Sequence, residues 1–172
     1  MYNSLELIEL LKKEKYEIKV HQHVPLFNVE DSKKLRGKIN GAHSKNLFLK
    51  NKKNEFFLLS CQEADKINLK KISKLLELGS VSFAKQEYLE QYLKIKPGSV
   101  SPFALLNDNS GFVNFYLEQA LYESKLVNFH PLINTLTITI ETYRFIEFMI
   151  ENNKKIHIFS SANGKVLKTY GK

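Results

Sequence analysis

Apolar positions recur with helical spacing at the start of the chain. Leu7, Ile8 and Leu11 share one face, Ser4 stands as the cap and Glu6 falls in the first turn, which predicts a helix over 4–14. Tyr16, Ile18 and Val20 then alternate as a short strand. Asn28 to Leu35 has the pattern of a short helix, capped by Asn28, with Asp31 in the capping-box position and Gly37 at its end. Two apolar runs, 46–50 and 55–61, flank the polar tip Asn51-Lys52-Lys53-Asn54 and predict a hairpin. Asn68 caps a helix that turns Leu69, Ile72, Leu75 and Leu76 inward and Lys66, Lys70, Lys71 and Lys74 outward, with Gly79 as its stop. A strand at 81–83 and a helix over 86–93 follow. Strands are expected at 103–106, 112–117 and 127–129. Thr135 to Ile140 alternates without a break, the pattern of a half-buried antiparallel strand. Thr142 caps a last helix running to Ile150, and 156–159 is a final strand before a polar tail.

Helices and hairpins interleave without strict βαβ alternation, so the expected fold class is α+β, one domain over 1–160 with a polar C-terminal tail at 161–172. Composition narrows this little: 43% apolar and 26% charged residues in 172 are ordinary for a globular chain and exclude a largely disordered one. The net charge of +8 rests almost wholly on lysine, since Arg36 and Arg144 are the only arginines. Such a balance favours a polyanion as partner, although a Lys- and Asn-rich compositional bias accounts for it equally well. Cys61 is alone, so no internal disulfide and no CxxC pair exists. The first residues show no leader pattern, and no run of 18 apolar residues occurs. A soluble, cytoplasmic, monomeric protein away from membranes is expected.

Familiar catalytic patterns are missing. There is no GxSxG, no HExxH and no EF-hand loop, and the stretch from Gly37 to Lys45 lacks the Lys-Ser/Thr of a phosphate loop. His21 and His23 share a strand face but have no third ligand at an instructive spacing, so they read as polar residues at a strand edge and no metal is expected. Cys61 ends an apolar run and reads as a small core residue. No carboxylate pair stands out for acid–base work. Three segments are less ordinary. Gly41-Ala42-His43-Ser44-Lys45-Asn46 delivers a lysine into the mouth of an apolar strand, where its charge must stay solvated or meet an anion. Gly98-Ser99-Val100-Ser101-Pro102 can present backbone N–H and C=O groups to a ligand. In Asn128-Phe129-His130-Pro131-Leu132 a proline fixes the chain just after a histidine.

With Leu35-Arg36-Gly37, these segments resemble, in order and spacing, the YbaK/prolyl-tRNA-synthetase-associated editing superfamily. The likeness is to its free-standing alanyl-tRNA(Pro) deacylase branch, of PrdX or ProX type, from about His21 to Phe148. The resemblance implies a curved, mainly antiparallel (mixed) sheet flanked by helices. It also implies hydrolysis of the ester between a wrong amino acid and the terminal ribose of a tRNA, with no cofactor. Carried over, Lys45 orients the terminal adenosine and phosphate, Asn46 holds the ribose or ester carbonyl, and Gly98, Ser99 and Ser101 lie near the attacking water. His130 lines the amino-acid pocket, with His43, Lys50, Pro102 and Phe129 as further substrate-binding positions. The acceptor end of tRNA(Pro) is the implied partner, with prolyl-tRNA synthetase a second. Some relatives carry a basic residue near Ser80, where this chain has serine. Removal of cysteine or serine instead of alanine, and a tRNA-binding or regulatory protein without catalysis, remain alternatives at this stage.

Overall fold

The computed structural model describes residues 1–25 and 39–171. The helix expected at 28–35 and the Leu35-Arg36-Gly37 motif lie outside them. Helix α1 (Ser4–Lys13) is capped by Asn3, not Ser4. Asn3 Oδ1 accepts the N–H groups of Leu5 and Glu6, and Glu6 takes the Asn3 N–H at 2.8 Å. The cap moves because only with Asn3 as N-cap does Glu6 fall at the third helical position, where the reciprocal box closes.

The strands are β1 (Ile18–Gln22), β2 (Ala42–Asn51), β3 (Phe56–Gln62), β4 (Val81–Phe83), β5 (Val113–Glu118), β6 (Leu126–Phe129), β7 (Leu136–Glu141), β8 (Ile156–Phe159) and β9 (Val166–Tyr170). Among the described residues they make one mixed sheet in the order β1-β7-β6-β2-β3-β5-β8-β9, with β4 set against the far end of β2. Five pairings are antiparallel; β2–β6, β3–β5 and β5–β8 are parallel. The α+β expectation therefore holds. The tail at 161–172 contains a strand absent from the sequence reading: β9 pairs with β8 and is mostly exposed.

The larger core lies on one face of the sheet. Phe48, Phe56, Leu58, Phe115, Leu117 and Phe129 meet Leu7 and Leu11 of α1 and Phe145, Phe148 and Met149 of α5 (Thr142–Glu151) there. The opposite residues of the same strands, Leu49, Phe57, Leu59 and Cys61, form a smaller core under Ile72 and Leu76 of the α2 segment (α2, Leu69–Leu75). Asn68 caps α2 as expected, its Oδ1 accepting the Lys71 N–H. A short α3 (Gln86–Tyr88) runs into a π-helical turn at Leu89–Leu93, and α4 (Gln119–Tyr122) follows β5.

Three further expectations fail. The segment expected as a strand at 103–106 is a buried 3-10 helix, Pro102–Asn107. A short, wholly apolar run carries no period, and the start is set by Ser101 accepting the Phe103 N–H and by Pro102 at the first helical position. Strand β7 is buried on both faces instead of one, with Thr137 and Thr139 at 6% and 5% exposure. Thr142 opens α5 but donates its hydroxyl to Ser124 O instead of capping. No helix among the described residues is long and apolar enough to cross a membrane.

Candidate active site

The site grows out of an interruption in the sheet. On one edge, β2 pairs with β6 only at Ala42 and His43, and with β4 only from Leu49 to Asn51. Between them, among the described residues, no strand covers that edge at 44–47. Lys45 and Asn46 sit in this opening, half-buried. On the other edge an unbroken register with β3 holds them, Lys45 opposite Cys61 and Asn46 opposite Ser60. Strand alternation sends the two side chains to opposite faces. Ser60 Oγ donates to Asn46 Oδ1 at 2.5 Å, and Asn46 Nδ2 donates to Ser44 Oγ at 3.4 Å, which fixes the amide. On the Lys45 face, burial pushes the Cys61 thiol pKa up, the Glu118 carboxylate adds to this and the Lys45 ammonium opposes it. Glu118 is fully buried, with Oε2 accepting the Gln62 N–H at 2.8 Å.

Beside this opening, β1, β7 and β6 present a polar face. His21 Nε2 lies 3.0 Å from Thr139 Oγ1, whose hydroxyl donates to Asn128 Oδ1 at 2.6 Å; the His21 ring nitrogen is therefore the donor to Thr139. Asn128 Nδ2 donates in turn to Asn40 O and Ala42 O, tying the polar face to the start of β2. Ser44 Oγ donates to Asn128 O at 3.0 Å. His23 is held between Val24 O and Thr137 Oγ1, and its ring lies 5.8 Å from that of His130. His130 Nδ1 donates to Leu136 O at 2.8 Å, so in the neutral ring Nε2 is left as an acceptor. His43 lies opposite Asn128 and its Nε2 donates to Ile39 O.

The chain must pass very close to β6 to reach this arrangement. Gly41 has φ +102°, and a Cβ there would stand 2.8 Å from Leu126 Cβ. Gly41→Ala is expected to destabilise the fold by about 1–3 kcal/mol and to disturb the Asn128 bonds. A urea midpoint equal to that of the unsubstituted protein contradicts this.

The positions expected from sequence are brought together in part. His43 on β2 lies opposite Asn128 on β6, Phe129 ends β6 and His130 follows it, while Lys45 and Asn46 continue β2 past the last β6 pairing. Ser99, Ser101 and Pro102 are buried and Gly98 is exposed at φ +86°. This loop is fastened to the same region by Phe103, whose ring meets that of Phe129 edge-on at 6.0 Å. Lys50 stands apart: its Nζ donates to Tyr88 OH at 3.3 Å and lies over that ring, near the far end of β2 on the face opposite Lys45. Sequence reasoning did not single out Thr137, Thr139, Ser44, Ser60 or Glu118. The signal for the threonines was present as two matched alternations, His21/His23 and Thr135/Thr137/Thr139, on strands that pair.

Burial holds the His130 pKa below its ordinary value, and burial together with the Lys19 ammonium does the same to His21. As pH falls below the ordinary histidine value of about 6.5, the unfolded chain takes up protons first, so stability is full above that pH and declines below it. The urea midpoint is expected to drop between about pH 7.5 and 5, and His130→Gln to flatten that slope. Equal slopes for both proteins would show that His130 does not contribute.

A family model for the aminoacyl-tRNA editing domain matches residues 23–148. The prolyl-tRNA synthetase associated domain-containing protein 1 of Bos taurus is 36% identical over 135 residues, covering 76% of this chain and 78% of that one. The prolyl-tRNA editing protein ProX of Acetoanaerobium sticklandii is 30% identical over 133 residues, covering 77% and 80%. A solved structure described as a candidate trans-editing enzyme for prolyl tRNA synthetase has a TM-score of 0.66 at 16% identity, covering 91% of this chain and 96% of that one; this likeness carries the fold.

Proposed function

The chain belongs to the aminoacyl-tRNA editing domain family, and from that premise we propose that it is a trans-acting deacylase that hydrolyses the aminoacyl ester of mischarged tRNA, with alanyl-tRNA(Pro) as its substrate. The observation that carries the reading is the opening in the sheet at 44–47. It leaves the Lys45 cation and the fixed Asn46 amide on the stretch of strand edge that β6 and β4 do not cover.

In this reading Lys45 holds the terminal adenosine and its phosphate, and Asn46 Nδ2 faces the ribose or the ester carbonyl. The backbone of Gly98, Ser99 and Ser101 borders the attacking water. His130, Phe129, Pro102 and His43 bound the amino-acid pocket in this reading, and His130 Nε2 accepts a hydrogen bond from the substrate. Water attacks the ester carbonyl carbon, the ribose oxygen leaves with a proton, and the products are free amino acid and uncharged tRNA. The neighbouring ribose hydroxyl assists, so no nucleophilic side chain is needed. The biological logic is size: a synthetase pocket built for proline cannot strongly reject alanine, because missing methylenes are worth only ~1–3 kcal/mol, and a second, smaller site removes the error. The unit responsible spans 1–160, acts in the cytoplasm and meets prolyl-tRNA synthetase through their shared tRNA. Lys70 and Lys74, which line one groove with Ser80, contact the duplex part of the acceptor stem.

The reading is tested by incubating the protein with alanyl-, cysteinyl-, seryl- and prolyl-tRNA(Pro) and following loss of each ester. The alanyl ester is expected to turn over fastest and the prolyl ester to persist. Faster loss of the cysteinyl or seryl ester would reassign the substrate, and loss of none would leave a binding protein.

A further inference from the structure

A second feature of the polar face is a cleft of about 650 Å³ at the end of β1, β7 and β6, lined by residues from separate elements. Lys12 comes from α1, Lys19 and His21 from β1, Lys125 precedes β6, Thr139 belongs to β7 and Asn40 leads into β2. All three ammonium groups are exposed and reach the cleft from different sides. Glu17 and Glu141 also line it.

The cleft is joined to the candidate active site by hydrogen bonds. His21, on its wall, donates to Thr139, which donates to Asn128, which donates to Asn40 and Ala42. Lys45 is five residue steps along the chain from Asn40, at most about 17 Å of extended chain. Lys19 and His21 share the face of the sheet that carries Thr139, Asn128, His43 and Lys45. A polyanion whose end lies at Lys45 can thus run along one continuous polar face to this cleft.

We propose that the cleft is a phosphate-binding subsite for the unpaired 3′ strand of the RNA, holding backbone phosphates a few nucleotides upstream of the terminal adenosine. Lys19 and Lys125 contact the phosphate oxygens, and Lys12 adds to the field. The subsite rests on the deacylase reading for its choice of RNA as occupant. It carries no sequence information, because ammonium contacts to phosphate position a strand without reading bases.

The test measures binding of two labelled RNA minihelices, one ending in an unpaired 3′ strand and one blunt, across a range of salt. The proteins are wild type, the double variant Lys19→Ala/Lys125→Ala, and a control pair at the hairpin tip, Lys52→Ala/Lys53→Ala. Losing two single-strand phosphate contacts flattens the slope of log K against log salt by about 1.4, so the advantage of wild type over the variant shrinks roughly sevenfold between about 50 and 200 mM salt. This loss is expected for the overhanging minihelix only, with the control pair unaffected. A variant that matches wild type, or that loses equally on the blunt duplex, overturns the subsite, as does inorganic phosphate competing equally well against both RNAs. Deacylation is measured alongside. An active wild type with an unchanged salt slope removes the subsite alone, whereas an inactive wild type removes the deacylase reading whatever the slope.

Discussion

Lys45→Ala is expected to lower kcat/KM for alanyl-tRNA(Pro) by about two to three orders of magnitude, the size of effect seen when one preorganised charge or donor is removed from a water-poor site. The lysine stands in the opening of the sheet, held by an unbroken β2–β3 register and set opposite the fully buried Cys61. The register fixes its backbone, and the buried Cys61 side behind it lowers the local dielectric and strengthens its field. The fold does not depend on it, because the aliphatic stem is only half-buried and the neighbouring core is complete without it. The urea midpoint should therefore stay where it is while the single-turnover rate collapses. Lys45→Arg should recover only part of the rate, since a planar fork does not reproduce a point charge on a flexible stem. Full activity in Lys45→Ala would remove this residue from the site while leaving family membership untouched.

Phe103→Ala should have the largest effect on stability, a loss of about 3–5 kcal/mol. Phe103 is fully buried, and its ring meets Phe129, Phe145 and Phe148 edge-on at 6.0, 5.5 and 6.0 Å. Such edge-to-face contacts add to the transfer free energy of the ring itself. The residue also couples fold to site: it fastens the 98–102 loop on one side and backs Phe129, the neighbour of His130, on the other. Phe103→Leu, which keeps much of the volume, should lose less than about 1.5 kcal/mol. Denaturant titration of both variants checks this, and a loss below about 1 kcal/mol for the alanine variant would mean that the cluster closes over the gap.

What the sequence made legible follows from the range over which each feature is encoded. The β2–β3 hairpin was readable because its alternation and its Asn51-Lys52-Lys53-Asn54 tip are local, and the tip forms as expected with Lys53 and Glu55 N–H groups donating to Asn51 Oδ1. Lys45 and Asn46 were readable as a motif. Their placement in an open stretch of strand edge was not, because that depends on where β4 and β6 stop. The polar face was hidden for the same reason: His23 and Thr137 are 114 residues apart, and a threonine hydroxyl acquires an acceptor only when the strands meet. The 3-10 helix at Pro102–Asn107 was missed because four apolar residues suit either period. β9 escaped notice because Val166 and Leu167 remain about half exposed; its pairing comes from the backbone ladder and from the Tyr122–Tyr170 hydroxyl contact at 2.8 Å instead of a buried face.

The lysine excess also divides by position. Lys50 is spent on Tyr88, and Lys154 donates to Asp108 O at 2.7 Å on the far side of the sheet. These lysines have partners within the fold and need no polyanion to account for them. Lys45 and Lys19 lie on one face of the sheet with His21 and His43, and on the proposed reading this is the surface that a phosphate chain and its terminal ester would follow.

The most direct measurement is single-turnover decay of alanyl-tRNA(Pro) with the protein in excess, read against the same ester in buffer and against prolyl-tRNA(Pro) in parallel. The account predicts release of free alanine far above the buffer rate, with the prolyl ester unchanged. An alanyl ester that decays no faster than in buffer would contradict it.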